Sequence, residues 1–122
     1  MIRMKKLLAI FGLLSASVAH AGELDAHQIA DELIGQSLSW WNNSGWESGN
    51  LVLMPGGTAI ITVETPHLQR DRGQWFMHGN EICTMWTSLR EQKQKCYSLK
   101  EVEPGHFVSS GGNEFRINSA GV

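Results

Sequence analysis

The sequence lacks the short motifs that usually mark an enzyme or a cofactor site. No serine lies in Gly-x-Ser-x-Gly, and no histidine lies in HxH, HExxH or a Cys-His spacing typical of metal sites. The two cysteines are separated by twelve residues, so a CxxC redox motif is absent too. We therefore expect a protein that is not an enzyme and that uses no metal and no cofactor.

Long apolar runs are also absent. The longest, Leu7–Leu14, is well short of the roughly 20 residues that span a bilayer. It lies between a basic segment (Arg3, Lys5, Lys6) and the small-residue site Ala19–Ala21, which is the pattern of a secretory signal peptide. We predict that residues 1–21 are a signal peptide, that 22–122 form a single small β domain, and that the mature protein is periplasmic or secreted, with no membrane attachment.

Positive charge is scarce in the predicted mature chain. Cleavage removes three of the ten Lys and Arg residues and none of the 12 Asp and Glu residues, so the formal charge changes from −2 to −5. The remaining basic residues are scattered along the sequence. Nucleic acids and anionic membranes both attract clustered positive charge, so we expect neither to be the partner.

The mature sequence combines one helical segment with many short strands. Residues 23–35 carry an approximate apolar stripe and end at Gly35, a typical helix stop. After Asn50, short apolar or β-branched runs alternate with turns at 55–57, 78–80, 103–105 and 111–113. Residues 65–73 are predicted to be a polar connection. The pattern predicts a mainly β fold, an antiparallel meander with one N-terminal helix.

The cysteines are interpreted through the predicted export. In an oxidising compartment Cys83 and Cys96 are expected to form a structural disulfide, and the alternative is a pair of reduced thiols. Closing a loop of this size stabilises a small domain by roughly 3 kcal/mol.

Several motifs together resemble a known family. They are Ile34-Gly35, Gly56-Gly57-Thr58, Gly73-x-Trp75, Ile82-Cys83-x-x-Trp86 and the later Cys96. This order resembles small secreted proteobacterial proteins of unknown function, over about Leu33–Phe115. The resemblance implies a short, lipocalin-like β-barrel, and it implies no activity.

Tryptophan is the most informative residue type for function. The five tryptophans form the candidate binding surface: Trp40, Trp41, Trp46, Trp75 and Trp86. Because tryptophan is enriched at interaction hot spots, we expect a protein-interaction or inhibitor-type module. The alternative is a binder of a small apolar or sugar-like ligand, so the partner is an unknown protein or a small ligand. Exposed tryptophans with a filled interior would support the first hypothesis, and a cavity of several hundred Å³ would support the second.

Overall fold

The computed structural model describes residues 22–118, and the predicted signal peptide lies outside the described residues. The described chain contains one α-helix, nine strands and a short 3₁₀ turn. They are α1 (Ala26–Leu33), β1 (Ser37–Asn42), β2 (Ser48–Leu53), β3 (Thr58–Thr65), β4 (Gln69–His78), β5 (Glu81–Trp86), the 3₁₀ turn (Leu89–Gln92), β6 (Lys95–Tyr97), β7 (Leu99–Glu103), β8 (His106–Ser109) and β9 (Asn113–Ile117). Within residues 22–118, none of the helical segments has the length and hydropathy of a membrane span.

The strands form one antiparallel sheet that is nearly closed into a barrel. Its order is β6-β5-β4-β3-β2-β1-β9-β8-β7. Only Ser98 separates β6 from β7, yet β6 pairs with β5 and β7 pairs with β8. Both ends of the sheet are therefore parts of one continuous segment, which brings them together as barrel closure requires. The predicted mainly β meander with one N-terminal helix is confirmed.

Two glycines allow the strands to bend sharply. A Cβ at Gly49 in β2 would meet the carbonyl oxygen of Thr62, and a Cβ at Gly73 in β4 would meet that of Met85. The pairing of β2 with β3 also shifts register between Ser48 and Gly49. Glycines and bulges at such points produce the curvature of small barrels, because they let neighbouring backbones approach closely.

Helix α1 covers one end of the barrel. Asp25 caps its first turn through a reciprocal capping box with Gln28. The amide of Ala26 donates to Oδ1 of Asn80 in the β4–β5 turn at 2.9 Å, and the amide of Gly35 donates to the Leu53 carbonyl at 2.7 Å. These bonds tie both ends of the helix to strand turns at the same end of the sheet.

The barrel interior is filled on the side of the helix. Ile29 and Leu33 of α1 are 0% and 1% exposed, and they belong to the same buried cluster as inward-facing residues of the strands. A void of only about 10 Å³ remains in this half, too little for more than one water molecule. The buried apolar cluster comprises Leu24, Ile29, Leu33, Leu38, Trp40, Leu51, Leu53, Ala59, Ile61, Val63, Ile82, Trp86, Leu99, Phe107 and Phe115.

Two details of the sequence prediction are wrong. Strand β4 begins at Gln69, so much of the predicted polar connection at 65–73 is strand. Its polar residues are compatible with a strand because the outer barrel face contacts water, and the inward Asp71 lies near the rim. Strand β1 (Ser37–Asn42) was not predicted, because its tryptophans were interpreted as part of a binding surface, although the alternation of serine with Leu38 and Trp40 is typical of a strand.

The predicted disulfide is confirmed. Cys83 in β5 lies directly opposite Cys96 in β6, and the two are bonded. The bond joins the short β6 to the rest of the sheet and closes the loop that contains the 3₁₀ turn. This loop carries part of the candidate site.

Candidate functional site

A cavity opens at the end of the barrel opposite α1. Its volume is about 290 Å³. Barrel strands supply its walls, and the β1–β2 turn, the β5–β6 connection and the β8–β9 turn surround its mouth. The lining residues are Trp40, Asn42, Glu47, Leu51, Ile61, Thr84, Trp86, Arg90, Lys95, Tyr97, Gly111, Gly112, Asn113 and Phe115.

The walls of the cavity combine aromatic and aliphatic side chains with a comparable share of polar ones. Trp40 and Trp86 are 2% and 5% exposed, because both occupy inward positions of their strands. The indole N–H of Trp40 donates to the Thr62 carbonyl at 3.3 Å, which satisfies its only donor. Trp86 lies opposite Gly73 of β4, and the absent side chain of that glycine leaves room for the indole.

Polar groups face the cavity deeper in the barrel. Thr84 of β5 is 4% exposed, and Tyr97 of β6 is half-buried beside it. Burial raises the pKa of the Tyr97 phenol above its ordinary value, against smaller opposing effects of the Thr84 hydroxyl and the charge of Arg90. The phenol is therefore a neutral hydrogen-bonding group at physiological pH.

Charged side chains surround the mouth. The guanidinium of Arg90 lies 3.7 Å from a carboxylate oxygen of Glu47 and 5.8 Å from the ring centroid of Trp40. The first distance is longer than a hydrogen bond, and the second is within cation–π range. Lys95 of β6 adds a second cation to the lining, so the mouth carries two positive charges and one negative charge.

The loop that presents Arg90 has an unusual backbone. Arg90, Glu91 and Gln92 have φ values of 56°, 58° and 62°, in the left-handed region that non-glycine residues rarely occupy. Such strain persists only where surrounding contacts impose it, and it is concentrated at functional sites. The side-chain amide of Gln92 donates to the Thr87 carbonyl at 2.6 Å, and the disulfide closes the loop at its base.

Asp71 fixes the start of the same loop. Its carboxylate accepts the amides of Ser88 at 2.8 Å and Leu89 at 2.9 Å, as well as that of its neighbour Arg72. Burial alone would raise the pKa of Asp71, but these amides outweigh it and hold the pKa below its usual value. An ionised Asp71 thus anchors the loop to β4.

The five predicted tryptophans do not form one surface. Trp40 and Trp86 line the cavity together, whereas Trp46 is 74% exposed in the β1–β2 turn. Trp41 is half-buried on the outer face, 5.6 Å from the ring of His106 and near Arg116. Trp75 packs against the core and donates its indole N–H to the Met54 carbonyl at 2.7 Å.

The sequence prediction omitted the polar lining of the cavity. Thr84, Arg90, Lys95 and Tyr97 lie within or beside the disulfide loop. Because the disulfide lies on the outer face of the barrel, its neighbours along the strands point inward. Thr84 and Tyr97 each follow one of the cysteines, so this alternation could have indicated from the sequence that both side chains point inward. Nothing comparable indicated Arg90 or Glu47, because both come from irregular connections.

No metal-binding cluster was found in the described part of the chain. Within residues 22–118 no three His, Cys, Asp or Glu side chains lie close enough together to hold a metal ion.

Comparison of the chain with known protein families, with characterised proteins and with solved structures yields no match.

Proposed function

We propose that this protein binds a small ligand in the cavity at the open end of its barrel. The observation that carries the proposal is the division of the interior, which is packed beneath α1 and hollow at the opposite end, where Trp40 and Trp86 belong to the cavity lining. A barrel that served only as a rigid scaffold would gain stability by filling that space with side chains. The lining offers both apolar side chains and hydrogen-bonding groups, which together can hold and orient a small amphipathic molecule.

The size of the cavity limits the ligand. A volume of about 290 Å³ is near the lower limit of about 300 Å³ for small-molecule sites. It corresponds to about ten water molecules at about 30 Å³ each. The ligand we propose is accordingly small, with an apolar or sugar-like body that fits among the side chains of the lining.

The same proposal includes an exported location. The Cys83–Cys96 disulfide supports it, since such bonds persist mainly in oxidising compartments. The nearly closed antiparallel sheet and the mouth cavity are compatible with a short lipocalin-like barrel, whose ligands enter from one end. We propose this family likeness on architecture alone.

A protein-binding role is the second candidate function. It rests on Trp46 and Leu68, which are 74% and 68% exposed. They belong to the β1–β2 and β3–β4 connections, which lie at the same end of the barrel as the cavity mouth. A protein partner could use these side chains as anchors, because exposed apolar residues at loop tips are common contact points.

Native mass spectrometry of the mature protein, purified gently from its own host, tests the proposal. We expect a small-molecule adduct of defined mass, lost in Thr84→Phe, which places a ring inside the cavity. Thr62→Phe is the matched control, since Thr62 points outward from β3. A circular dichroism spectrum verifies that each variant folds. A co-purified protein without an adduct would favour the second function, and an adduct retained in folded Thr84→Phe would refute the cavity as the site.

A further inference from the structure

We propose that the ligand of the mouth cavity carries an anionic group, which Arg90 binds in competition with the carboxylate of Glu47. This inference rests on the proposed ligand-binding function and specifies the chemical class of the ligand. The class is a small amphipathic anion, in which an aromatic or other flat apolar body bears one carboxylate or a comparable acid.

The first argument is the position of Arg90. Its guanidinium lies over the ring of Trp40, at the boundary between the apolar wall and the solvent. A ligand whose apolar body occupies the cavity therefore presents its outer end to this cation. Arginine suits that role because its planar fork matches a carboxylate and because it stacks on aromatic rings.

The second argument is that Arg90 is poorly paired. Among residues 22–118 its one ion-pair partner is Glu47, at 3.7 Å, and the two side chains are 32% and 40% exposed. Such exposed pairs contribute little stability. An incoming acid can replace Glu47 at low cost and form shorter, charge-assisted hydrogen bonds with the guanidinium.

The third argument is the balance of charge at the mouth. Arg90 and Lys95 face a single acidic residue of the lining, Glu47, although the mature chain as a whole is acidic. A local excess of positive charge on a negatively charged protein attracts anions to this end. Asp71 accepts the amides of Ser88 and Leu89 and so fixes the start of the loop that carries Arg90 at the mouth.

Isothermal titration calorimetry with three matched probes tests the inference. Phenylacetate, 2-phenylethanol and 2-phenylethylamine share the same ring, are small enough for the cavity, and differ in charge. We expect phenylacetate to bind at least roughly tenfold more tightly than the alcohol, and the amine to bind most weakly, since a charged hydrogen bond contributes about 1.5–3 kcal/mol, or about 10- to 100-fold in affinity. The preference for phenylacetate should fall as salt is added.

Two variants that each remove one charge give effects of opposite sign. Arg90→Gln should weaken phenylacetate binding roughly 10- to 100-fold and leave the alcohol unchanged. Glu47→Gln should tighten phenylacetate binding, because the competing carboxylate is gone. The controls are Lys100→Gln and Glu81→Gln, which change the net charge equally at exposed residues outside the cavity lining.

The outcomes separate this inference from the function on which it rests. Equal affinity for the three probes, or weaker phenylacetate binding in Glu47→Gln, would overturn the anion preference while leaving a ligand site. Calorimetry that detects binding of none of the probes, together with NMR titrations in which the same probes leave the indole N–H signals of Trp40 and Trp86 unmoved, would overturn the ligand-binding proposal and this inference together.

Discussion

Replacement of Gly73 by alanine should both destabilise the barrel and close part of its cavity. An added Cβ would meet the Met85 carbonyl oxygen, and it would lie 2.8 Å from Cε3 and 3.0 Å from Cα of Trp86. Two of these three atoms belong to the backbone, so rotation of a side chain cannot relieve the overlap. The strands must separate, and the Trp86 indole must also move, towards the cavity that it lines.

The size of the effect follows from known costs of overpacking. Forcing an extra methyl group into a packed site costs about 1–3 kcal/mol. For a domain of this size each kcal/mol lowers the Tm by about 4–8 °C. We expect Gly73→Ala to lower the free energy of unfolding by about 2 kcal/mol, measured by urea denaturation and circular dichroism. It should also lower the affinity for any ligand that contacts Trp86.

Gly56→Ala is the matched control. Gly56 has no atom within 4 Å of an added Cβ and no positive φ. The substitution should therefore be neutral, or stabilise the protein by up to about 1 kcal/mol because alanine lowers the conformational entropy of the unfolded chain. If Gly73→Ala were as stable as Gly56→Ala and bound ligand as well as the unmodified protein, the close approach of β4 to Trp86 would be refuted.

Three further predictions concern stability and pH. The double variant Cys83→Ala/Cys96→Ala should lose roughly 3 kcal/mol of unfolding free energy in urea titrations, since the disulfide closes a loop with a sequence separation of 13, and an unchanged midpoint would contradict this. Trp40→Ala should cost about 3–5 kcal/mol, whereas Trp46→Ala should stay within about 0.5 kcal/mol, because these side chains are 2% and 74% exposed. Tyr97 is the only tyrosine, so absorbance at 295 nm follows its ionisation alone. Its raised pKa predicts a native midpoint above about 10 and a stability that falls as the pH rises above about 10, where the unfolded chain ionises first. A native midpoint at or below 10, or the same pH dependence in Tyr97→Phe, would show that Tyr97 is not buried in this way.

The elements that local sequence determines were predicted well. The helix was predicted over residues 23–35 from its apolar stripe and the stop at Gly35, and the observed helix, Ala26–Leu33, begins later because Asp25 is its N-cap. The hairpin turns at 55–57 and 78–80 could be predicted from their glycines and the turn-forming residues beside them. The disulfide required only two cysteines on strands that turned out to be adjacent.

The features that depend on closure of the sheet were not predictable in the same way. The polar start of β4 is a strand because β3 and β5 pair with it, which its own composition does not indicate. The cavity depends on barrel closure, in which one continuous segment pairs with β5 through β6 and with β8 through β7. Arg90 and Glu47 meet only because two connections distant in sequence lie at the same end of the barrel.

The most direct test of the account is a ¹H–¹⁵N NMR titration that follows the indole N–H signals of all five tryptophans. The ligands are a small panel of aromatic acids, neutral aromatics and simple sugars, each within the size of the cavity. The account predicts that at least one compound shifts the signals of Trp40 and Trp86 together and saturably, while that of Trp46 stays in place. Shifts confined to the Trp46 signal, or the absence of any shift in the Trp40 and Trp86 signals with every compound, would contradict the claim that the mouth cavity is a ligand site.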